Sequence, residues 1–162
     1  MQRKTLNTIL ILFGVACLFS FSGFSAEAPQ SKEAKQIAAL VDKAAALVES
    51  KGKAAFPEFK KKNGEWFKGD TYIFVSDMNG NVLMHPVSAE LEGKSLMDTK
   101  DANGKAFMRE FIETAKTKGS GWVDYMWPKP GDKKPSKKIS YVKRAKMANG
   151  EMVIVGAGIY VK

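Results

Sequence analysis

The sequence contains very few of the residues that bind metals or act as catalytic nucleophiles. Its 162 residues include one cysteine, Cys17, and one histidine, His85. Two such residues are too few for a Cys/His zinc site, an iron–sulfur cluster, a haem attachment motif or a disulfide framework. The G-x-S-x-G motif of serine hydrolases is also missing. We therefore predict no metal site, no cofactor and no enzymatic activity.

Three short motifs resemble ligand-binding loops, but each lacks part of the pattern. Asp77-Met78-Asn79-Gly80 and Asp101-Ala102-Asn103-Gly104 begin like calcium loops, yet the glycine comes early and no glutamate closes either loop. Both are predicted to be turns. Gly156-Ala157-Gly158 lacks the third glycine and the following helix of a dinucleotide-binding loop, so it is interpreted as a closely packed strand.

The N-terminus has the pattern of an export signal. Arg3 and Lys4 precede residues 6–24, which are uncharged and mostly apolar. This pattern predicts a signal peptide over residues 1–26 and a periplasmic or secreted product, with cleavage after Ala26 or, alternatively, after Ser25 or Ala28. Because the apolar run is long enough to cross a bilayer, the alternative is an uncleaved helix that anchors the protein in the inner membrane.

Positive charge is in excess and is concentrated in one region of the chain. There are 26 Lys and Arg against 17 Asp and Glu, for a formal net charge of +9. Residues 129–146 form a basic cluster of eight Lys and Arg with a single acid, Asp132. Most of these side chains are expected to be solvated. The alternative function is a basic envelope-associated module with a weak attraction to an anionic membrane or wall polymer. No nucleic-acid partner is predicted for an exported protein.

The chain after the export signal begins with a helical pattern. Apolar residues recur at steps of three and four between residues 34 and 48, with Ser31 as the predicted N-cap. Residues 51–53 are predicted to interrupt this helix, and an aromatic-rich second segment follows. We assign residues 27–68 to an N-terminal helical segment and residues 69–162 to a sheet core.

The remaining pattern predicts an antiparallel sheet with one further helix, which is an α+β fold. Two strands form a hairpin around the Asp77–Gly80 turn, a helix follows, and three more strands are joined by short turns. The predicted strands cover residues 71–75, 81–85, 121–127, 138–144 and 152–160, and the helix covers residues 105–118.

Polar-tipped aromatic residues on these strands suggest a ligand pocket. Tyr and Trp combine apolar walls with hydrogen-bonding tips, which suits a small ligand with a polar head. Lys138 would supply the positive charge that a buried carboxylate needs. Lys138 and Tyr141 lie on opposite faces of their strand, so without a bulge only one of them reaches the pocket. The alternative is that the aromatic residues are ordinary sheet core and that Lys138 faces water.

Seven segments in order resemble a single Cache domain of the second type (sCache_2), a PAS-like extracytoplasmic sensor module of bacterial chemoreceptors and kinases. The segments are YIFVSDMNG (72–80), MHP (84–86), LEGK (91–94), DANG (101–104), GSGWVDYMWPKPG (119–131), KISYVK (138–143) and GAGIY (156–160).

The resemblance implies a long N-terminal helix, a five-stranded antiparallel sheet with a further helix packed on it, and a concave face that binds short carboxylic acids. It implies that His85, Lys138 and a tyrosine hydroxyl hold the carboxylate, while Phe74 and Trp127 wall the carbon tail. The full set of implied ligand-binding residues is Tyr72, Phe74, His85, Tyr125, Trp127, Lys138 and Tyr141.

Two features depart from the family pattern. Residues 147–152 contain no tryptophan, whereas the family usually carries a tryptophan-rich segment before its last strand. The sequence also ends two residues after Tyr160, so a free-standing sensor is expected. Such a sensor would signal through, or deliver its ligand to, a partner protein such as a membrane receptor, a kinase or a transporter.

Overall fold

The computed structural model describes residues 31–161, which begin with the predicted helix α1, Lys32–Lys51. The hydroxyl of Ser31 accepts a hydrogen bond from the Ala34 N–H at 3.1 Å, which confirms the predicted N-cap. The helix ends at Gly52, whose φ of 56° favours glycine. The predicted signal peptide lies outside the described residues.

A short connecting region follows α1 and differs in detail from the prediction. A 3₁₀ turn, Gly52–Ala55, leads into the one-turn helix α2, Phe56–Phe59. Strand β1, Phe67–Lys68, then pairs antiparallel with β2, Thr71–Tyr72. The predicted helical segment therefore ends in a short strand. The predicted strand over residues 71–75 is divided at Ile73, whose N–H donates to the Trp66 carbonyl instead of a main-sheet partner.

The remaining elements are β3 Phe74–Asp77, β4 Val82–Met84, α3 Phe107–Thr117, β5 Ser120–Pro128, β6 Pro135–Lys146 and β7 Met152–Tyr160. Strands β3 to β7 form the five-stranded antiparallel sheet that the sequence predicts, in the spatial order β4-β3-β7-β6-β5. Helix α3 begins two residues later than predicted, and a short 3₁₀ turn covers Ala89–Leu91.

Each face of the sheet is covered by one helix. Helix α1 packs on one face, against β6 and β7, and α3 packs on the other, against β5 and β6. Because side chains alternate along a strand, β6 sends Ile139 and Tyr141 towards α1 and Val142 into the core beneath α3. Within residues 31–161, no helix is both long and apolar enough to cross a bilayer.

Two glycines of β7 allow large side chains to lie flat on the α3 face. A Cβ atom at Gly156 would come within 2.7 Å of a Phe74 ring carbon. At Gly158 it would lie 2.6 Å from the Ile139 carbonyl oxygen and 3.0 Å from Cε of Lys138. The interpretation of Gly156–Gly158 as a closely packed strand is therefore confirmed, and the close approach serves Phe74 and Lys138.

Candidate functional site

Three polar side chains form a row across neighbouring strands on the α3 face. In the antiparallel register, Lys138 of β6 lies directly opposite Tyr125 of β5 on one side and Tyr160 of β7 on the other. Directly opposed residues on one face of a sheet bring their side chains into contact range. The sheet therefore places a lysine between two tyrosines.

The ammonium group of Lys138 is fully buried among aromatic rings. Its Nζ atom lies 3.9 Å from the ring centroid of Tyr72, 4.9 Å from that of Tyr160 and 5.9 Å from that of Phe74. All three distances are within the range of a cation–π interaction. Nζ has no hydrogen-bond partner among residues 31–161, so a strong donor is held inside the protein with no acceptor.

The environment of Lys138 disfavours its charged form. Burial lowers the pKa of the ammonium from its ordinary value of 10.5 to about 7, and the carboxylate of Asp70 acts weakly in the opposite direction. A carboxylate brought to Nζ would supply both the missing acceptor and the missing opposite charge.

Tyr72 contributes a second buried donor without a partner. Its hydroxyl has no hydrogen-bond partner in the described part of the chain, and burial raises its pKa, so the group stays protonated. Its ring meets those of Phe67 at 5.9 Å and His85 at 5.1 Å, both edge to face. Tyr72 thus carries a buried O–H group on the ring over which the Lys138 ammonium lies.

His85 is held as a neutral ring at the end of β4. Its Nδ1 atom accepts a hydrogen bond from the Ser88 N–H at 2.9 Å, which leaves Nε2 to carry the ring proton. Burial and the charge of Lys138 lower the pKa of His85 from 6.5 to about 3. The Glu92 carboxylate accepts from the His85 backbone N–H at 2.9 Å and fixes the loop that holds the ring.

A small and largely apolar cavity, with a volume of about 20 Å³, adjoins this group between the sheet and α3. Phe74 and His85 belong both to the surroundings of Lys138 and to the cavity wall. The remaining wall comes from strands β3 to β5, α3 and the segment before α3: Val75, Ser76, Val82, Leu96, Phe107, Met108, Phe111, Tyr125 and Trp127.

Six of the seven sequence-predicted ligand residues gather in this region of the α3 face: Tyr72, Phe74, His85, Tyr125, Trp127 and Lys138. Tyr141 does not join them. It packs beside Trp122 on the α1 side, at 5.3 Å between ring centroids, and its hydroxyl donates to Ser120 Oγ at 2.8 Å. The β5–β6–β7 register runs without a bulge, so strand alternation sends Lys138 and Tyr141 to opposite faces.

Sequence reasoning missed Tyr160 and Ser140. The Tyr160 ring lies over Lys138, and its hydroxyl donates to the Pro128 carbonyl at 2.6 Å. Ser140 Oγ lies 3.1 Å from the Tyr125 hydroxyl. Ser140 shares a strand face with Lys138, which was visible in the sequence, whereas Tyr160 could be found only from the β6–β7 register.

A match to a protein family model identifies the family of this chain. The Cache domain model dCache_2 matches residues 31–162. The chain belongs to the Cache domain family. The Cache resemblance of the sequence motifs is thereby confirmed, although the matching model bears the name dCache_2 and the motifs resembled the single type, sCache_2.

Curated relatives are bacterial sensor proteins. Methyl-accepting chemotaxis protein McpP of Pseudomonas putida is 34% identical over 92 residues, which cover 57% of this chain and 16% of that protein. Sensor histidine kinase MctS of Rhizobium johnstonii is 34% identical over 91 residues, which cover 56% of this chain and 19% of that protein. The matched region is thus less than one fifth of the length of either relative.

Solved structures with the same fold are also sensor domains. A periplasmic sensor domain of a chemotaxis protein has a TM-score of 0.63 and 33% identity, with 79% of this chain and 90% of that chain covered. A Cache chemosensory domain described for carboxylic acid recognition has a TM-score of 0.66 and 30% identity, with 80% and 94% covered. This Cache domain therefore shares its fold with known chemosensory modules.

Proposed function

We propose that this Cache domain binds a small organic anion, a short carboxylate, on the α3 face of its sheet and does no chemistry on it. The buried and unpaired ammonium of Lys138 carries this proposal. An ion removed from water without a partner destabilises the fold by several kcal/mol. A carboxylate at Nζ would remove that penalty and form a charge-assisted hydrogen bond.

The groups around Lys138 suit an anion rather than a cation or an amine. The Tyr72 hydroxyl is protonated and unpartnered, and the neutral ring of His85 carries its proton on Nε2. Together with the Lys138 ammonium they form a set of three donor groups. One carboxylate has about four lone-pair positions with which to accept them.

In our proposal the protein acts outside the cytoplasm as a sensor. The carboxylate draws the Lys138 strand, Tyr72 and the His85 loop together and stabilises a closed state, and a partner reads that state. A membrane receptor, a kinase or a transporter is the proposed partner. The chemoreceptor and histidine-kinase relatives support this assignment.

The alternative function, a basic surface that binds the cell envelope, has less support because many of its basic side chains are buried or lie near acidic ones. Lys138 is buried, and three further members of the basic cluster lie near acids: Lys143 at 2.7 Å from Asp42, Lys137 at 3.7 Å from Asp124, and Lys129 at 3.9 Å from Asp70. Half of the cluster in residues 129–146 is therefore buried or close to opposite charge.

Thermal denaturation of the dialysed protein against a panel of small carboxylates, amino acids and amines tests the proposal. A ligand at about 100 times its Kd adds roughly 2.7 kcal/mol and raises Tm by several degrees. Lys138→Met should abolish the carboxylate response. Lys137→Met is the matched control, since it removes the adjacent charge from a side chain that is 55% exposed, and it should keep the response.

The pattern of responses decides between the two functions. A carboxylate response that persists in Lys138→Met would remove Lys138 from the site. The other outcome is that no small anion stabilises the protein, but that it binds anionic vesicles at low salt and releases them as ionic strength rises. That result would reject the ligand pocket and favour the basic surface as the functional site.

A further inference from the structure

The Lys138 side chain is closed off from solvent. It is fully buried, and the aromatic rings of Tyr72, Phe74 and Tyr160 all lie within 5.9 Å of its Nζ atom. A ligand that pairs with Nζ can therefore reach it only if one of the covering side chains moves.

Tyr160 is the one ring of these three that is only partly buried. Tyr72 and Phe74 are buried in the core beneath α3. Tyr160 lies at the end of β7, where it lines an open surface groove together with Gly158. A Cβ atom at Gly158 would lie 3.0 Å from Cε of Lys138. The groove therefore adjoins the buried lysine, and Tyr160 stands between the two.

Two contacts hold the Tyr160 ring over Lys138. Its hydroxyl donates to the Pro128 carbonyl at 2.6 Å, and burial raises its pKa, so the hydroxyl keeps the proton for this bond. Nζ of Lys129 lies 5.6 Å from the ring centroid and 3.9 Å from the Asp70 carboxylate. The ring is thus within cation–π range of a buried lysine and of a partly exposed one.

We propose that the Tyr160 side chain is the gate through which a ligand reaches Lys138, and that its hydrogen bond to Pro128 holds the gate closed. The inference rests on the proposed carboxylate function, whose site the gate closes. Rotation of the side chain breaks this one bond and leaves the β6–β7 ladder intact, since the Tyr160 backbone stays paired opposite Lys138. It opens the groove to Nζ without moving Tyr72 or Phe74.

A gate of this kind predicts faster binding at unchanged affinity. Tyr160→Phe keeps the ring but removes its hydrogen bond to Pro128, and it favours the open state equally in the free and the ligand-bound protein. Losing a neutral hydrogen bond shifts such an equilibrium by about two- to tenfold. The association and dissociation rate constants of propionate should therefore both rise by about that factor, and Kd should stay the same.

Stopped-flow tryptophan fluorescence measures both rate constants. Tyr141→Phe is the matched control, because it also removes a tyrosine hydroxyl bond, to Ser120 on the α1 face, and it should keep the wild-type rates. Weaker binding of propionate to Tyr160→Phe at an unchanged association rate would overturn the inference, since the hydroxyl would then hold the ligand and not the gate.

Access to Lys138 can also be measured without any carboxylate. Methyl acetimidate converts neutral amines to amidines, and burial lowers the pKa of Lys138 to about 7, so its labelling rate at pH 8 reports how often the gate opens. Mass spectrometry compares this rate with that of Lys133, an exposed residue of the β5–β6 loop. Lys138 labelling should be about two- to tenfold faster in Tyr160→Phe and unchanged in Tyr141→Phe. A rate that stays constant in low urea identifies local opening, because global unfolding increases with urea.

Lys129→Met tests the outer contact, with Lys134→Met as the control at an exposed position of the same loop. An exposed ion pair contributes little, so Lys138 labelling should rise by only about twofold in Lys129→Met and stay the same in Lys134→Met.

The gate and the proposed function fail in different ways. If labelling accelerates in Tyr160→Phe but no carboxylate binds, the gate stands and the proposed function is wrong. If carboxylates bind but neither labelling nor binding rates change in Tyr160→Phe, the gate is wrong. The entrance then lies elsewhere, as beside Trp127, which lines both the internal cavity and a second surface groove.

Discussion

The Lys138 ammonium lies 3.9 Å from the centroid of the Tyr72 ring, and neither Nζ nor the Tyr72 hydroxyl has a hydrogen-bond partner in the described part of the chain. The rings of Tyr72, Tyr160 and Phe74 all lie within cation–π range of Nζ and stabilise the ammonium in part. Burial nevertheless lowers the pKa of Lys138, so the charged form is disfavoured in the folded protein. An anion that pairs with Nζ would relieve this penalty.

Replacing Lys138 should stabilise the ligand-free protein. Lys138→Met removes the buried charge and keeps the volume, so the free energy of unfolding should rise by about 1–4 kcal/mol at pH 7. Urea denaturation measures the change. Lys137→Met, at an exposed position, should stay within about 0.5 kcal/mol of the wild type. A Lys138→Met protein that is less stable than the wild type would show that the cation is satisfied in the native state.

The same group should make stability and affinity depend on pH above neutrality. The folded protein releases the Lys138 proton near pH 7, whereas the unfolded chain holds it up to about pH 10.5. Because the unfolded state binds more protons in this window, wild-type stability gains from Lys138 as pH rises. The advantage of Lys138→Met should therefore shrink between pH 7 and 10 and stay constant below pH 7.

Carboxylate affinity should change in the opposite sense, because the ligand pairs with protonated Lys138. Above pH 7 the site must take up a proton on binding, so affinity should fall by up to tenfold per pH unit. Calorimetry across this range measures the fall. Affinity that stays constant from pH 6 to pH 9 would contradict this account.

A pair of tyrosines tests which face of the sheet binds the ligand. Tyr72→Phe removes an unpartnered hydroxyl on the α3 face and should weaken carboxylate binding about tenfold or more, because a hydrogen bond to a charged group contributes about 1.5–3 kcal/mol. Tyr141→Phe breaks the bond to Ser120 on the α1 face and should leave affinity unchanged. The reverse result would place the ligand beneath α1.

His85 gives a direct spectroscopic check, since it is the single histidine of the chain. Its pKa of about 3 predicts that the ring stays neutral at pH 5, where an exposed histidine is protonated. The proton NMR signal of the ring should therefore not titrate between pH 8 and pH 5. Because the folded state resists this protonation, His85 also lowers stability as pH falls below 6.5. A titration midpoint near 6.5 would contradict the buried position.

Much of the fold could be predicted because it follows from local patterns. The apolar residues at steps of three and four predicted α1, and the turn residues between strands predicted the antiparallel sheet. Strand alternation correctly placed Lys138 and Tyr141 on opposite faces. The separate β1–β2 ribbon was missed. Phe67 and Tyr72 are ordinary sheet formers, and nothing local to them says which strand each will pair with.

The site was less predictable because it depends on register between distant strands. Tyr160 meets Lys138 only because β6 and β7 pair without a bulge, and no short-range signal specifies that pairing. The role of Gly158 also depends on this register. Its missing side chain leaves space for Lys138, which lies on the neighbouring strand and not nearby in the sequence. The sequence also left open whether Lys138 faces water, which the burial of the side chain decides.

The most direct test of the central claim is a crystal structure of the protein with butyrate bound. The account predicts the carboxylate within about 3.2 Å of Lys138 Nζ, with the Tyr72 hydroxyl also donating to it. A carboxylate bound on the α1 face, or one held by surface lysines while Lys138 Nζ keeps no partner, would contradict it.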